Sequence, residues 1–240
     1  MAELKCSGLT RVFPGGAGVH RIDLQVEAGQ VHALVGLNGA GKTTLLRLLI
    51  GMLLPDAGTV GYGSRRLGDV RPADWARVGH MVGHPLAYPE LVVRTNLALA
   101  ARLHWVSPNR VGGVVAMAMA ELDLVKHADQ RVRILSQGNL QRVGLAVALQ
   151  HEPDVIVLDE PTSALDPSGV LLLRKVLLRR AAAGAAILVS SHHLDEVARI
   201  ADRITVMNRG ELVGELDPTS PDIERAFFAR VLADDQSRVR

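Results

Sequence analysis

At 240 residues with 48% apolar side chains, the chain has enough material for a packed core in one large domain or two small ones. Its 27 Lys and Arg against 25 Asp and Glu leave a formal net charge of +2. There is no basic block, and aromatics are only 3% of residues, so neither an electrostatic arm nor a base-stacking platform for nucleic acid is expected. The single cysteine, Cys6, excludes an internal disulfide, and the start Met1-Ala-Glu-Leu-Lys-Cys-Ser lacks a basic n-region and an apolar h-region. A cytosolic location is therefore expected. The most apolar stretches, Leu45 to Leu54, Val111 to Leu122 and Ala181 to Val189, are each interrupted or ended by charge, Gly or Pro before the roughly 18 residues of a membrane span.

Leu4 to Val12 and Val19 to Val26 read as strands around a Pro14-Gly-Gly turn. In the second, Ile22, Leu24 and Val26 alternate with Arg21, Asp23 and Gln25, the period of a half-exposed antiparallel sheet. Val31 to Val35 is instead apolar on both faces and runs through a glycine-rich turn into a predicted helix, Thr44 to Ile50, as at the start of a parallel α/β unit. Gly51 to Gly63 reads as loop and short strand. Helical periodicity dominates from about Leu91 to Leu149, with breaks at Ser107-Pro108-Asn109 and Arg131 to Gln137, and suggests a helical subdomain inserted in the core. Parallel-sheet character returns with Val155 to Leu158, a helix from about Gly169 to Arg180, and strands at Ile187 to Val189 and Ile204 to Met207. The basic pairs Arg174-Lys175 and Arg179-Arg180 read as a solvated helix face, and the segment after Asp217 has no clear chemistry.

Gly36-Leu37-Asn38-Gly39-Ala40-Gly41-Lys42-Thr43 fits the phosphate-binding P-loop pattern without gaps, between a predicted buried strand and a predicted helix. Its glycines free the backbone to turn N–H groups toward an anion, and the helix that follows adds the positive end of its dipole. Lys42 is a point charge for the β and γ phosphates, Thr43 offers a hard oxygen to Mg2+, and Thr44 completes the helix start. Farther along, Val155-Ile-Val-Leu158 ends in Asp159 and Glu160. Paired carboxylates at the end of a buried strand call for a compensating cation, so Asp159 is the candidate Mg2+ ligand and Glu160 the candidate base for an attacking water. Ser136 and Gly138 open a predicted helix, where a hydroxyl, backbone N–H groups and a dipole can address a second anion.

With these blocks in one order, the chain resembles the ATP-binding subunit of an ATP-binding cassette (ABC) transporter from about Leu4 to Val213. The most specific element is Leu135-Ser136-Gln137-Gly138-Asn139-Leu-Gln141-Arg142, similar to the family's signature segment. It departs from the common pattern at Gln137 and Asn139. Ser163-Ala164-Leu165-Asp166 matches the family's D-loop. The resemblance implies an α/β fold: a P-loop NTPase (RecA-like) core at 1–85 and 150–216, an N-terminal antiparallel β subdomain, an inserted helical subdomain at about 86–149, and a tail at 217–240. It also implies that Phe13 stacks on adenine, that Asp166 lies at the nucleotide, and that His192 rather than His193 senses the γ-phosphate. Two such subunits, identical or not, would pair head to tail around two ATP molecules. An integral membrane permease would be held near Tyr88 to Asn96, on the inner face of the cell membrane, and no nucleic acid is expected as a partner. The family's glutamine loop has no glutamine here: Gly83 or His84 takes its place, and the alternative reading is that His80 and His84 are solvated loop residues. Ser190-Ser-His-His-Leu-Asp-Glu-Val197 and Ala201 to Gly210 resemble subunits that drive export. A soluble cassette ATPase acting on nucleic acid or ribosomes is the alternative, and a cassette that binds ATP without hydrolysing it is a third reading.

Overall fold

The computed structural model describes residues 3–237, so the expected domain start at Met1 and the end of the tail, 238–240, lie outside the described residues. Strand β1 (Leu4–Val12) and β2 (Gly18–Val26) form an antiparallel pair. Strand β3 (Val31–Val35) is buried along its whole length and leads through the P-loop into helix α1 (Lys42–Leu49). Next come β4 (Ala57–Tyr62), β5 (Arg65–Arg66), the short helix α2 (Pro72–Trp75) and strand β6 (Val78–Met81). Three helices follow: α3 (Val93–Leu103), α4 (Pro108–Glu121) and α5 (Gln137–Leu149). The remainder is β7 (Val155–Asp159), α6 (Pro167–Ala182), β8 (Ala186–Ser191), α7 (Leu194–Ala198), β9 (Arg203–Asn208), β10 (Glu211–Leu216) and α8 (Ile223–Ser237).

Two sheets result. The smaller has the order β2-β1-β4-β5 and is antiparallel; the larger runs β10-β9-β3-β8-β7-β6 and is parallel except for β10 at one edge. Because side chains alternate along a strand, β3 feeds two cores. Val31, Ala33 and Val35 pack with residues of α3 to α6 and α8, while Leu34 packs with α1 and the apolar face of β1 and β2. Covering both faces is what a parallel sheet requires, and it explains why β3, β7 and β8 carry almost no polar residues before their C-terminal ends.

Two segments differ from the sequence expectations, and a third, to which the sequence assigned no structure, forms a helix. The 78–81 stretch is a strand pairing in parallel with β7, and His80 sits half-buried in it, where desolvation lowers its pKa, so His80 is not a solvated loop residue. Arg180 is not on a solvated face either. Only 11% exposed, its guanidinium contacts Glu121, Glu152 and the Leu149 carbonyl, and two carboxylates and a carbonyl satisfy a charge that the helical pattern alone assigned to water. Finally, the segment after Asp217 forms α8, which buries Ile223, Phe227 and Val231 against the main core and anchors its end through Asn208 to Asp234 and Asp235.

Candidate nucleotide site

The register of the parallel sheet sets β3, β8 and β7 side by side, so the segments following their C-terminal ends converge at one edge, the position at which open α/β sheets bind ligands. The P-loop follows β3, Asp159 ends β7 with Glu160 just after it, and His192 follows β8. Gly39 and Gly41 adopt left-handed backbone angles, φ +82° and +106°, which keep the loop tight before α1 begins at Lys42. A Cβ on Gly36 would stand 2.3 Å from the Met207 carbonyl oxygen of β9, so only glycine fits where the loop leaves the sheet. Lys42 is buried, 7% exposed, and arches back over the loop: its ammonium donates to the Gly36 carbonyl at 2.7 Å and the Leu37 carbonyl at 3.4 Å, and lies 3.5 Å from Glu160 Oε1.

The two carboxylates are held differently. Asp159, 8% exposed, accepts the Thr43 hydroxyl at 2.8 Å on Oδ2 and the Ser190 hydroxyl at 2.6 Å on Oδ1. Glu160 has φ +45°, an unusual conformation for a residue with a side chain. Its N–H donates to Ser190 Oγ at 3.0 Å, and its carboxylate accepts from His192 Nδ1 at 2.8 Å and the His192 N–H at 3.4 Å. Because a carboxylate only accepts, Nδ1 is the donor in this contact. The Thr43 hydroxyl and Asp159 carboxylate are hard oxygens held against each other, a donor pair that suits Mg2+ completed by phosphate oxygens and water.

The structure thus brings Gly36, Lys42, Thr43, Asp159, Glu160 and His192 into one hydrogen-bonded constellation. A second group lies on α5 and the turn after Glu160. Ser136 caps α5, accepting the Asn139 N–H, and Asp166 caps α6, accepting the Gly169 N–H. The Ser168 hydroxyl, the Arg142 guanidinium and that Gly169 N–H hold the Asp166 carboxyl down at about 2. Gly138 approaches this turn so closely that a Cβ would lie 2.9 Å from the Ala164 carbonyl oxygen. Phe13 stands apart on the β1–β2 turn, half-buried with the Arg11 guanidinium 5.5 Å from its ring centre. That turn leads into Gly18, whose carbonyl abuts Gly41 of the P-loop. Leu37, Asn38 and Gly39 are exposed at the loop crest, Ala40 is buried, and Thr44 is half-buried in the first turn of α1. Past β6, Gly83 (φ +82°) and His84 are both exposed.

Three contributors were not assigned from sequence. Ser190, fully buried, bridges Asp159 and the Glu160 N–H. Gln141 and Arg142 reach from α5 to the 160–168 segment. The visible signal for Ser190 was a hydroxyl ending an otherwise apolar buried strand.

The ABC transporter family profile matches residues 19–163, more than half of the chain. The chain belongs to the ABC transporter family. The ATP-binding domain of that family hydrolyses ATP to drive transport. A ribose import ATP-binding protein of Burkholderia cenocepacia is 34% identical over 228 residues, covering 92% of this chain and 45% of the relative. A Nod factor export ATP-binding protein of Burkholderia orbicola is 36% identical over 200 residues, 83% of this chain and 66% of the relative. The chain therefore spans about half the length of the ribose import relatives it matches. A solved structure described as an ATP binding subunit of an ABC transporter superposes with a TM-score of 0.83 at 28% identity, covering 96% of both chains. This ABC cassette contains no helix among the described residues long and apolar enough to cross a membrane.

Proposed function

We propose that this chain binds and hydrolyses ATP as the motor subunit of a membrane transporter, working with an integral membrane permease and a second nucleotide-binding subunit. The observation that carries the reading is the Thr43–Asp159 contact, 2.8 Å across 116 residues of sequence, with Lys42, Glu160 and His192 gathered around it. The P-loop amides and Lys42 hold the β and γ phosphates, and Phe13 lies against the base. Thr43 and Asp159 hold Mg2+, which when bound neutralises charge on the phosphates. Glu160 orients the attacking water and accepts its proton, and His192, held against Glu160 through Nδ1, senses the γ-phosphate. Ser136, Gly138 and Asp166 complete the ATP site of the partner subunit. Gly83 or His84 takes the position of the absent glutamine in the loop after β6.

The division into a core at 1–85 and 150–216, a helical part at about 86–149 and a tail at 217–240 belongs to this reading, as does a position on the inner face of the membrane. So does the permease contact near Tyr88 to Asn96. Export is supported by the Ser190 to Val197 and Ala201 to Gly210 segments and by the Nod factor export relative; the ribose import relatives point the other way, and the membrane partner sets the direction. Purification of the tagged chain from native membranes tests the assignment. A co-purifying polypeptide with several transmembrane helices, and ATP turnover that responds to it, are expected. Hydrolysis stimulated by RNA or DNA with no membrane partner would overturn it.

A further inference from the structure

Glu160 sits at φ +45°, and a residue with a side chain keeps such a conformation only where its neighbours hold it. The hold on its N–H side is Ser190. On its C=O side the Ser163 N–H donates to the Glu160 carbonyl at 3.2 Å, and Gln141 of α5, 7% exposed, donates from Nε2 to the same carbonyl at 3.4 Å and to the Pro161 carbonyl at 3.0 Å. Two further contacts tie the same helix to the same segment: Gly138 against the Ala164 carbonyl, and Arg142, 7% exposed, donating to Asp166 at 2.7 Å and Ser168 at 3.3 Å. Helix α5 and the 160–168 turn are thereby pinned together at three levels. Gln141 is the level nearest the carboxylate.

We propose that Gln141 is a positioning residue for hydrolysis. By fixing the peptide after Glu160, its amide sets the direction in which the Glu160 carboxylate points and passes displacements of α5 to it. The proposal rests on the reading of Glu160 as the base and of Ser136 as an anion contact. Gln141 lies five residues after Ser136, about 7.5 Å along the helix. An anion that draws the capped end of α5 would therefore pull on the peptide of Glu160 through one side chain. In the proposed dimer the anion at Ser136 belongs to the partner's ATP site, whereas Glu160 serves the chain's own. Gln141 would be a direct link between the two.

The test compares Gln141→Met, which keeps the length but loses the donor, and Gln141→Asn, which keeps the amide on a shorter stem, with the wild-type chain. ATP turnover, KM for ATP and thermal stability are measured on the full chain, with Glu160→Gln alongside. Expected is a kcat about ten- to a hundredfold lower in Gln141→Met, with KM within twofold and the melting temperature close to wild type, and partial recovery in Gln141→Asn. Wild-type kcat in Gln141→Met, or a loss of kcat matched by a raised KM and a collapsed melting temperature in both variants, would overturn the proposal. Retained turnover in Glu160→Gln would instead sink the assignment of the base, a separate failure visible in the same assay.

Discussion

Replacing Ser190 with alanine removes one hydroxyl that serves two partners at the end of β8, the buried Asp159 carboxylate and the part-buried Glu160 N–H. The register sets Ser190 directly across from Asp159, and the hydroxyl is fully buried. It donates to Asp159 Oδ1 at 2.6 Å, a short charge-assisted bond, and accepts the Glu160 N–H at 3.0 Å. Its loss leaves a carboxylate oxygen one donor short, costing about 1.5–3 kcal/mol, and a main-chain N–H without an acceptor, costing about 1–3 kcal/mol. After local relaxation the expected destabilisation is about 3 kcal/mol, a large share of the roughly 5–15 kcal/mol total of a typical domain. Urea denaturation of Ser190→Ala and Ser190→Thr, each without nucleotide, measures it. Threonine keeps the hydroxyl and is expected to lose about 1 kcal/mol, from the extra methyl in a packed strand. A loss below 1 kcal/mol in Ser190→Ala would refute the bridging role, and equal losses in the two variants would show that shape rather than the hydroxyl matters.

Two further outcomes follow from other parts of the fold. Gly36→Ala forces a methyl onto the Met207 carbonyl, so the loop must shift at a cost of about 1–3 kcal/mol; titration with Mg-ATP is expected to show weakened binding, and unchanged affinity would mean that the loop is not the cradle. His32 is buried between the Gln25 carbonyl and the Thr205 hydroxyl, and desolvation, followed by the nearby Arg203 charge, pushes its pKa down to about 4. The unfolded chain takes up that proton near pH 6.5 and the folded chain only near 4. The unfolded state is thus favoured as pH falls through this window, and His32 should account for about 2 kcal/mol of stability lost between pH 7 and pH 5. In His32→Gln that part of the pH dependence should vanish; an unchanged profile would contradict the assignment.

Local pattern made the sheet core and the P-loop legible. Val31 to Val35 and Val155 to Leu158 are apolar on both faces, and the spacing from Gly36 to Thr43 is fixed by what phosphate binding demands of a backbone. Less legible were features whose meaning is set across the chain. Val78 to Met81 is short and carries Gly79 and His80, so its strand character comes from its parallel pairing with β7. Arg180 reads as surface until Glu121 and Glu152, 59 and 28 residues away, are brought to it. Helix α8 has a weak stripe of Ile223, Phe227 and Val231, which becomes an apolar face only because the main core lies beneath it. At the site, the residue types of Asp159, Glu160 and His192 were apparent, but the clamps on Glu160 were not, because Ser190 and Gln141 are common polar residues whose roles arise from a strand register and a helix packing.

The central claim is that Glu160 drives ATP hydrolysis at a site built from the P-loop, Asp159 and His192. The most direct measurement is single-turnover hydrolysis of Mg-ATP by Glu160→Gln, with nucleotide affinity determined on the same preparation. Because glutamine keeps the shape but cannot accept the proton of the attacking water, turnover is expected to fall by about 10²–10⁴-fold while ATP binding is retained. Hydrolysis at the wild-type rate with normal binding would contradict the account.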